Sequence, residues 1–227
     1  MKTKIMRIAT MAVMMLAAMS MAEAQEAADG RGGTRYTSGP CLPSIHAMED
    51  HQSAWCYIDQ ITNLVAGWNW WSTHIMVTMD ELKAALVDAL PGTPITISSQ
   101  NNGSTTYTGL TWRGNLKTLD VTQMYKIKVI FNCQFVLTGA PLNPSKHSIT
   151  IHNGVNWIGF PLGANMSLNN AFAGFAVSGD LVKSKDKSAS FTNQWRGTFN
   201  TLVPGQGYIY KSNKQYDRTL TFPSGAK

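Results

Sequence analysis

The chain has 227 residues, 44% of them hydrophobic, 10% aromatic and only 14% charged, which supplies one or two cored domains and excludes global disorder. Its net charge is +6, and it falls to +4 once Lys2, Lys4, Arg7 and Glu23 are set aside with an N-terminal leader. That is a weak, scattered surplus rather than a basic stripe, so no nucleic-acid partner is expected.

The leader comes first in chain order. Residues 1–24 combine a cationic start, an apolar run from Ile8 to Met21 and the small-x-small ending Ala22-Glu23-Ala24, the pattern of a cleaved signal peptide. The run is 14 residues long, short of the roughly 20 that a spanning helix needs. Export is therefore expected, with a mature chain starting near Gln25, without a membrane span, in an extracellular, cell-surface or periplasmic setting. In such a setting Cys41 and Cys56, close in sequence, are expected to form a disulfide, leaving Cys133 as a small apolar residue in the strand-like stretch Ile130 to Leu137. Cys41, His46, His51 and Cys56 are evenly spaced, so a four-ligand zinc site is the alternative. The spacing is not an established zinc pattern, and no metal or cofactor is assigned.

A duplication organises the remainder. Gly67-Trp68-Asn69-Trp70 recurs as Gly154-Val155-Asn156-Trp157, displaced by 87 positions, and Met79 falls on Met166 at the same displacement. Trp112-Arg113-Gly114 recurs as Trp195-Arg196-Gly197, Gln123 to Lys128 answers Gln206 to Lys211, and Leu137-Thr138 matches Leu220-Thr221, all displaced by 83. The difference of four, about one helical turn, is expected in or just after a helix, making the second helix shorter by about a turn. The first helix is legible. Thr78 and Glu81 make a capping box, Met79, Leu82, Ala85, Leu86 and Leu90 form a stripe, and Pro91-Gly92 ends it. Ser167 opens the second helix, which runs through Phe172 and stops at Gly174. Alternating segments over 68–75, 95–99, 105–107, 112–116, 124–131 and 135–138 read as strands, with tight turns at Asn101-Asn102-Gly103 and Val203-Pro204-Gly205-Gln206.

The predicted fold is mainly β with one short helix per repeat, an α+β arrangement of two pseudo-repeats of antiparallel units. The predicted organisation is a signal peptide at 1–24, a flexible segment with the disulfide at 25–62, and repeats at 63–141 and 142–227.

Gly67-Trp68-Asn69-Trp70-Trp71-Ser72 and Leu202-Val203-Pro204-Gly205-Gln206-Gly207-Tyr208-Ile209 resemble the opening strand and closing turn of repeat modules in exported and surface proteins of Bacteroidota and other bacteria. The resemblance covers about 63–223. It implies small β-rich accessory domains and brings no catalytic residues. In the first copy Leu119-Asp120-Val121-Thr122-Gln123-Met124-Tyr125 lacks the Pro and Gly of the closing turn, and in the second Val155 replaces Trp68.

Among the aromatics, Trp70 and Trp157 hold matched positions and are expected in the core, with Trp68 and Trp71 sharing an outward-facing or interfacial surface. Trp112 and Trp195 are read first as packing residues and second as stacking platforms. Exposed aromatics beside amides suit sugar rings, so Tyr107, Trp112, Asn193 and Trp195 are the candidate ligand-binding residues. No catalytic residue is assigned. The sequence has no Gly-x-Ser-x-Gly, His-Glu-x-x-His, phosphate-loop or dinucleotide motif. Asp180, Asp186 and Asp217, the acids of the second copy, suggest no facing pair of the kind a glycosidase requires. The expected role is a non-enzymatic module for adhesion, assembly or scaffolding, with an extracellular protein or glycan as partner. Carbohydrate binding is the alternative.

Overall fold

Two short strand-to-strand ribbons and two five-stranded antiparallel sheets make up the framework, one of each per copy. The computed structural model describes residues 57–224. The leader at 1–24, and Cys41, His46, His51 and Cys56 with the expected disulfide and its zinc alternative, lie outside the described residues.

In the first copy, β1 (Ile58–Leu64) pairs with β7 (Cys133–Gly139). The main sheet has the order β2-β6-β3-β4-β5, built from β2 (Gly67–Trp71), β3 (Ile95–Ser98), β4 (Ser104–Tyr107), β5 (Trp112–Gly114) and β6 (Tyr125–Val129). In the second copy β8 (Ile149–Ile151) pairs with β16 (Arg218–Leu220). Its main sheet, in the order β9-β15-β11-β12-β13, uses β9 (Gly154–Ile158), β11 (Leu181–Lys183), β12 (Ser188–Phe191), β13 (Trp195–Gly197) and β15 (Tyr208–Ser212). Strand for strand the two orders are the same, as a duplication requires. The second copy adds a small pair, β10 (Met166–Ser167) with β14 (Thr201–Leu202).

Helix α1 (Met79–Ala89) has the capping box in full: Thr78 Oγ1 accepts from the Glu81 amide and Glu81 accepts from the Thr78 amide. Met79, Leu82 and Leu86 are buried in the first copy's hydrophobic cluster, with β7 beside the helix. Helix α2 (Leu168–Ala171) keeps only the cap, Ser167 Oγ accepting from Asn170 N at 3.2 Å. It is about two turns shorter than α1 rather than one. Asn169 and Asn170 are poor helix formers, and Gly174, at φ +68°, turns the chain just after Phe172, which is buried in the second cluster with Phe175 packed against it.

Strand register corrects the alignment of the copies. The caps Thr78 and Ser167 are 89 positions apart, whereas Ile97 and Val182, which pair with equivalent residues, are 85 apart. Met79 and Met166 are therefore not equivalent, since Met79 is the first helical residue and Met166 precedes the second cap. The loss is spread over the helix and two hairpin loops. Asn213–Asp217 is two residues longer than Ile130–Asn132, so Leu137 corresponds to Phe222, not Leu220. A shift of two leaves every side chain on its own face, which is why the sequence pattern does not reveal it.

Strand β1 begins at Ile58, ahead of residue 63 where the sequence places the first repeat. Its pattern runs against hydrophobicity, with Gln60 and Thr62 buried while Ile61 is exposed. Partners explain the inversion. Gln60 Nε2 donates to Ser72 O at 2.9 Å, Gln60 Oε1 accepts from His74 N at 3.0 Å, and Thr62 Oγ1 accepts from Trp71 Nε1 at 3.3 Å.

Each copy has its own hydrophobic cluster, around Trp71, Leu82, Ile97, Tyr125 and Ile127 in the first and around Ile158, Phe160, Phe172, Val182 and Tyr210 in the second. Trp71 is thus core, not outward-facing, because the parity of β2 sends Asn69 and Trp71 inward and leaves Trp68 outside.

Candidate functional site

The repeated motif residues do structural work that can be followed atom by atom. Asn69 Oδ1 accepts from Val65 N at 3.1 Å while its Nδ2 donates to Val65 O at 2.8 Å and Gly67 O at 3.2 Å. Asn156 repeats the clamp on His152 and Gly154 at 2.8, 2.9 and 3.1 Å. The Gly-x-Asn signature is thus a buried amide pinning the tight turn between ribbon and sheet, with Gly67 at φ +98°. The closing-turn tyrosines match as well. Tyr125 Oη accepts from Asp120 N at 2.6 Å and Tyr208 Oη from Val203 N at 2.7 Å, and burial pushes both phenols up to about 12. Where the second copy turns with Pro204-Gly205, the first uses the Asp120 carboxylate, which accepts from Thr122 N at 2.8 Å.

The two copies meet through reciprocal backbone pairing. Gly207 N donates to Trp70 O at 3.1 Å and Ser72 N to Gly205 O at 3.1 Å; the equivalent bonds are Met124 N to Trp157 O at 3.5 Å and Gly159 N to Thr122 O at 2.8 Å. Each closing turn therefore caps the opening strand of the other copy, as in a pseudo-two-fold, isologous contact. Lys126 Nζ lies at the seam, 4.2 Å from the Trp157 ring centroid and 5.5 Å from that of Trp70. Trp70 and Trp157 are half-buried at this junction rather than in either core.

Two grooves flank the seam, related by the same pseudo-symmetry, and they differ. On one side the Ser99–Gly103 turn reaches β9: Gln100 Nε2 donates to Val155 O at 2.8 Å and Gln100 Oε1 accepts from Trp157 N at 2.6 Å, and the remaining groove is about 260 Å³. On the other side, Ser184-Lys185-Asp186-Lys187 faces β2 across about 420 Å³, lined also by Trp70, Val65 and Phe199. Among the described residues nothing hydrogen-bonds to the Trp68 N–H and C=O or the Trp70 N–H. Near that edge Trp68 is 42% exposed, with Lys128 Nζ 5.8 Å from its ring centroid, and Val65, Ile130 and Phe131 are exposed on the adjoining loops.

The residues expected to bind a ligand are brought together in pairs. Tyr107 and Trp112 are neighbours across β4 and β5, their rings 5.4 Å apart and tilted by 39°; Tyr107 is buried and Trp112 half-buried. Asn193 sits exposed in the hairpin loop beside Trp195, which is half-buried against Phe172 and Phe191 at 5.4 and 5.2 Å. The pairs stand at the β4–β5 and β12–β13 ends of different sheets. The glycine of each Trp-Arg-Gly triplet is steric: a Cβ on Gly114 would lie 2.3 Å from Ser104 O, and one on Gly197 2.1 Å from Ser188 O. The residues that sequence reading passed over are Gln100 and Lys185. Their signal was the length difference between the two turns that carry them.

Among the described residues no helix is long and apolar enough to cross a membrane, and no group of three or more His, Cys, Asp or Glu could hold a metal. Comparison with protein-family models, curated proteins and solved structures found no match to this chain.

Proposed function

We propose that this chain is a non-enzymatic secreted or surface-exposed module, a pair of sandwich-like β units acting in adhesion or assembly, and that it binds through the junction of its two copies. The supporting observation is the open groove beside β2. Pseudo-symmetry gives the molecule two such grooves, and only one of them is filled by its own turn. An unpaired strand edge flanked by exposed Trp68 and Val65 is the kind of surface that soluble domains otherwise protect. The leader supports export, and the resemblance to accessory modules of surface proteins supports attachment or assembly as the role.

A glycan-binding role draws its support from Trp112 and Trp195, each with part of its ring exposed. One experiment separates the readings. The purified chain is screened against a glycan array and a panel of extracellular proteins, alongside Trp68→Ala and Trp112→Ala. Loss of protein retention in Trp68→Ala alone supports the junction; loss of glycan retention in Trp112→Ala alone, at unchanged melting temperature, supports the glycan reading instead.

A further inference from the structure

We propose that the free edge of β2 takes up an extended, acidic segment of a partner polypeptide, which joins the first copy's sheet as an added strand. This deepens the reading of the junction as a binding surface and rests on it.

The direction of the edge follows from the seam. Trp70 O accepts from Gly207 N of the other copy, so Trp70 points its main-chain groups away from β6, and so does Trp68 two residues earlier. The three groups left open there, Trp68 N–H, Trp68 C=O and Trp70 N–H, are an unfinished ladder. The second copy shows what finishes it. Gln100 places a carboxamide, with the donor and acceptor of a peptide group, on Val155 O and Trp157 N, the equivalents of Trp68 O and Trp70 N. At the position of Gln100 the second copy carries Lys185, which has donors only and cannot satisfy the Trp70 N–H. The internal stand-in for a peptide group is thus present on one side and replaced on the other by a residue that leaves the groove open.

Chemistry around the edge selects the partner's side chains. Lys185 and Lys187 project from the facing turn with Asp186 between them, and Lys126 and Lys128 stand over Trp70 and Trp68 from the neighbouring strand. Main-chain pairing supplies affinity and the alternate side chains supply selectivity, here for carboxylates on the face that carries Trp68, Trp70, Lys126 and Lys128 and for small apolar groups on the opposite face, where Asn69 and Trp71 point.

Amide exchange and peptide titration on the purified chain test this together. In the free chain the Trp70 amide is expected to exchange fast and the Trp157 amide slowly. Lys185→Gln should slow Trp70, and Gln100→Lys should release Trp157. A short peptide alternating Glu with Val should bind one-to-one, lose about tenfold in affinity in Lys185→Gln, and bind two-to-one in Gln100→Lys. Methylating its alternate backbone nitrogens should abolish binding. A Trp70 amide already protected in the free chain would show the edge covered from within and overturn the proposal. Absence of saturable binding by the peptide, or binding indifferent to Lys185→Gln, would overturn it as well. If extracellular protein retention still depends on Trp68 in that case, the junction remains the binding surface and only strand addition fails.

Discussion

Met124 and Gly207 hold equivalent places in the two closing turns and face each other across the seam, where a Cβ built on Gly207 would stand 2.1 Å from Met124 Cγ. Two methionines would collide there and two glycines would leave a void, so the junction is filled by an unequal pair. Gly207→Ala should destabilise by about 1–3 kcal/mol through overpacking, and Met124→Ala by about 2–5 kcal/mol through a cavity. The double variant should cost less than the sum in denaturant unfolding; strict additivity would show that the two do not compete for one space.

A buried polar cluster marks the second copy. The Asp180 carboxylate accepts from Tyr210 Oη, from Asn213 N at 2.7 Å and from Arg218 at 3.0 Å, and Asp180, Tyr210 and Arg218 stand where the first copy has Ile95, Ile127 and Cys133. Asp180→Ala should cost about 3–5 kcal/mol by stranding Arg218, and the double change Asp180→Ala, Arg218→Met should cost less than the sum of its two single changes. Thermal unfolding of the three variants gives the comparison, and strict additivity would show that the two charges do not depend on each other. Cys133 is thereby explained as the apolar counterpart of Arg218.

This cluster, with the buried phenols Tyr125 and Tyr208, makes stability depend on pH at both ends. Burial alone would raise the Asp180 pKa, but its hydrogen bonds from Tyr210, Asn213, Val177 and Arg218 hold it below the ordinary carboxylate value of 3.8. Its contribution is complete above that value and is lost as the pH falls towards the folded-state pKa. Burial raises Tyr125 and Tyr208 to about 12 and Tyr210 further, so the unfolded chain loses phenolic protons first and stability should fall above pH about 10. Denaturant midpoints measured across pH should decline at both extremes, with a shallower acid limb in the Asp180→Ala, Arg218→Met variant.

The clamps Asn69 and Asn156 serve separate copies with the same bonds. Each change to Ala should cost about 1–3 kcal/mol, and the two should add. Hydrogen exchange at the Val65 and His152 amides should rise only in the variant affecting its own copy.

Trp195 touches Phe172, Phe191 and Tyr210, while Trp112 has Tyr107 and the Lys83 ammonium at 5.7 Å. Trp195→Ala should therefore lower the melting temperature more than Trp112→Ala, with losses up to about 3 kcal/mol. The reverse order would mean that ring contacts do not set these costs.

The duplication, the capped first helix, the strand-rich remainder and the key turns are legible in the sequence, because each is written in local periodicity, capping and turn chemistry. Strand β1 was hidden because Gln60 and Thr62 are buried by virtue of partners distant in the chain, which hydropathy does not record. Likewise the choice between Trp70 and Trp71 for the core depended on which face β2 turns inward, and that is decided by β6 and Phe135 packing against it. The aromatic candidates are marked by residue type, whereas the open edge is defined by backbone groups that every sequence carries alike. Only the tertiary structure decides which of those groups are paired, and here two equivalent turns, one carrying Gln100 and the other Lys185, make the difference.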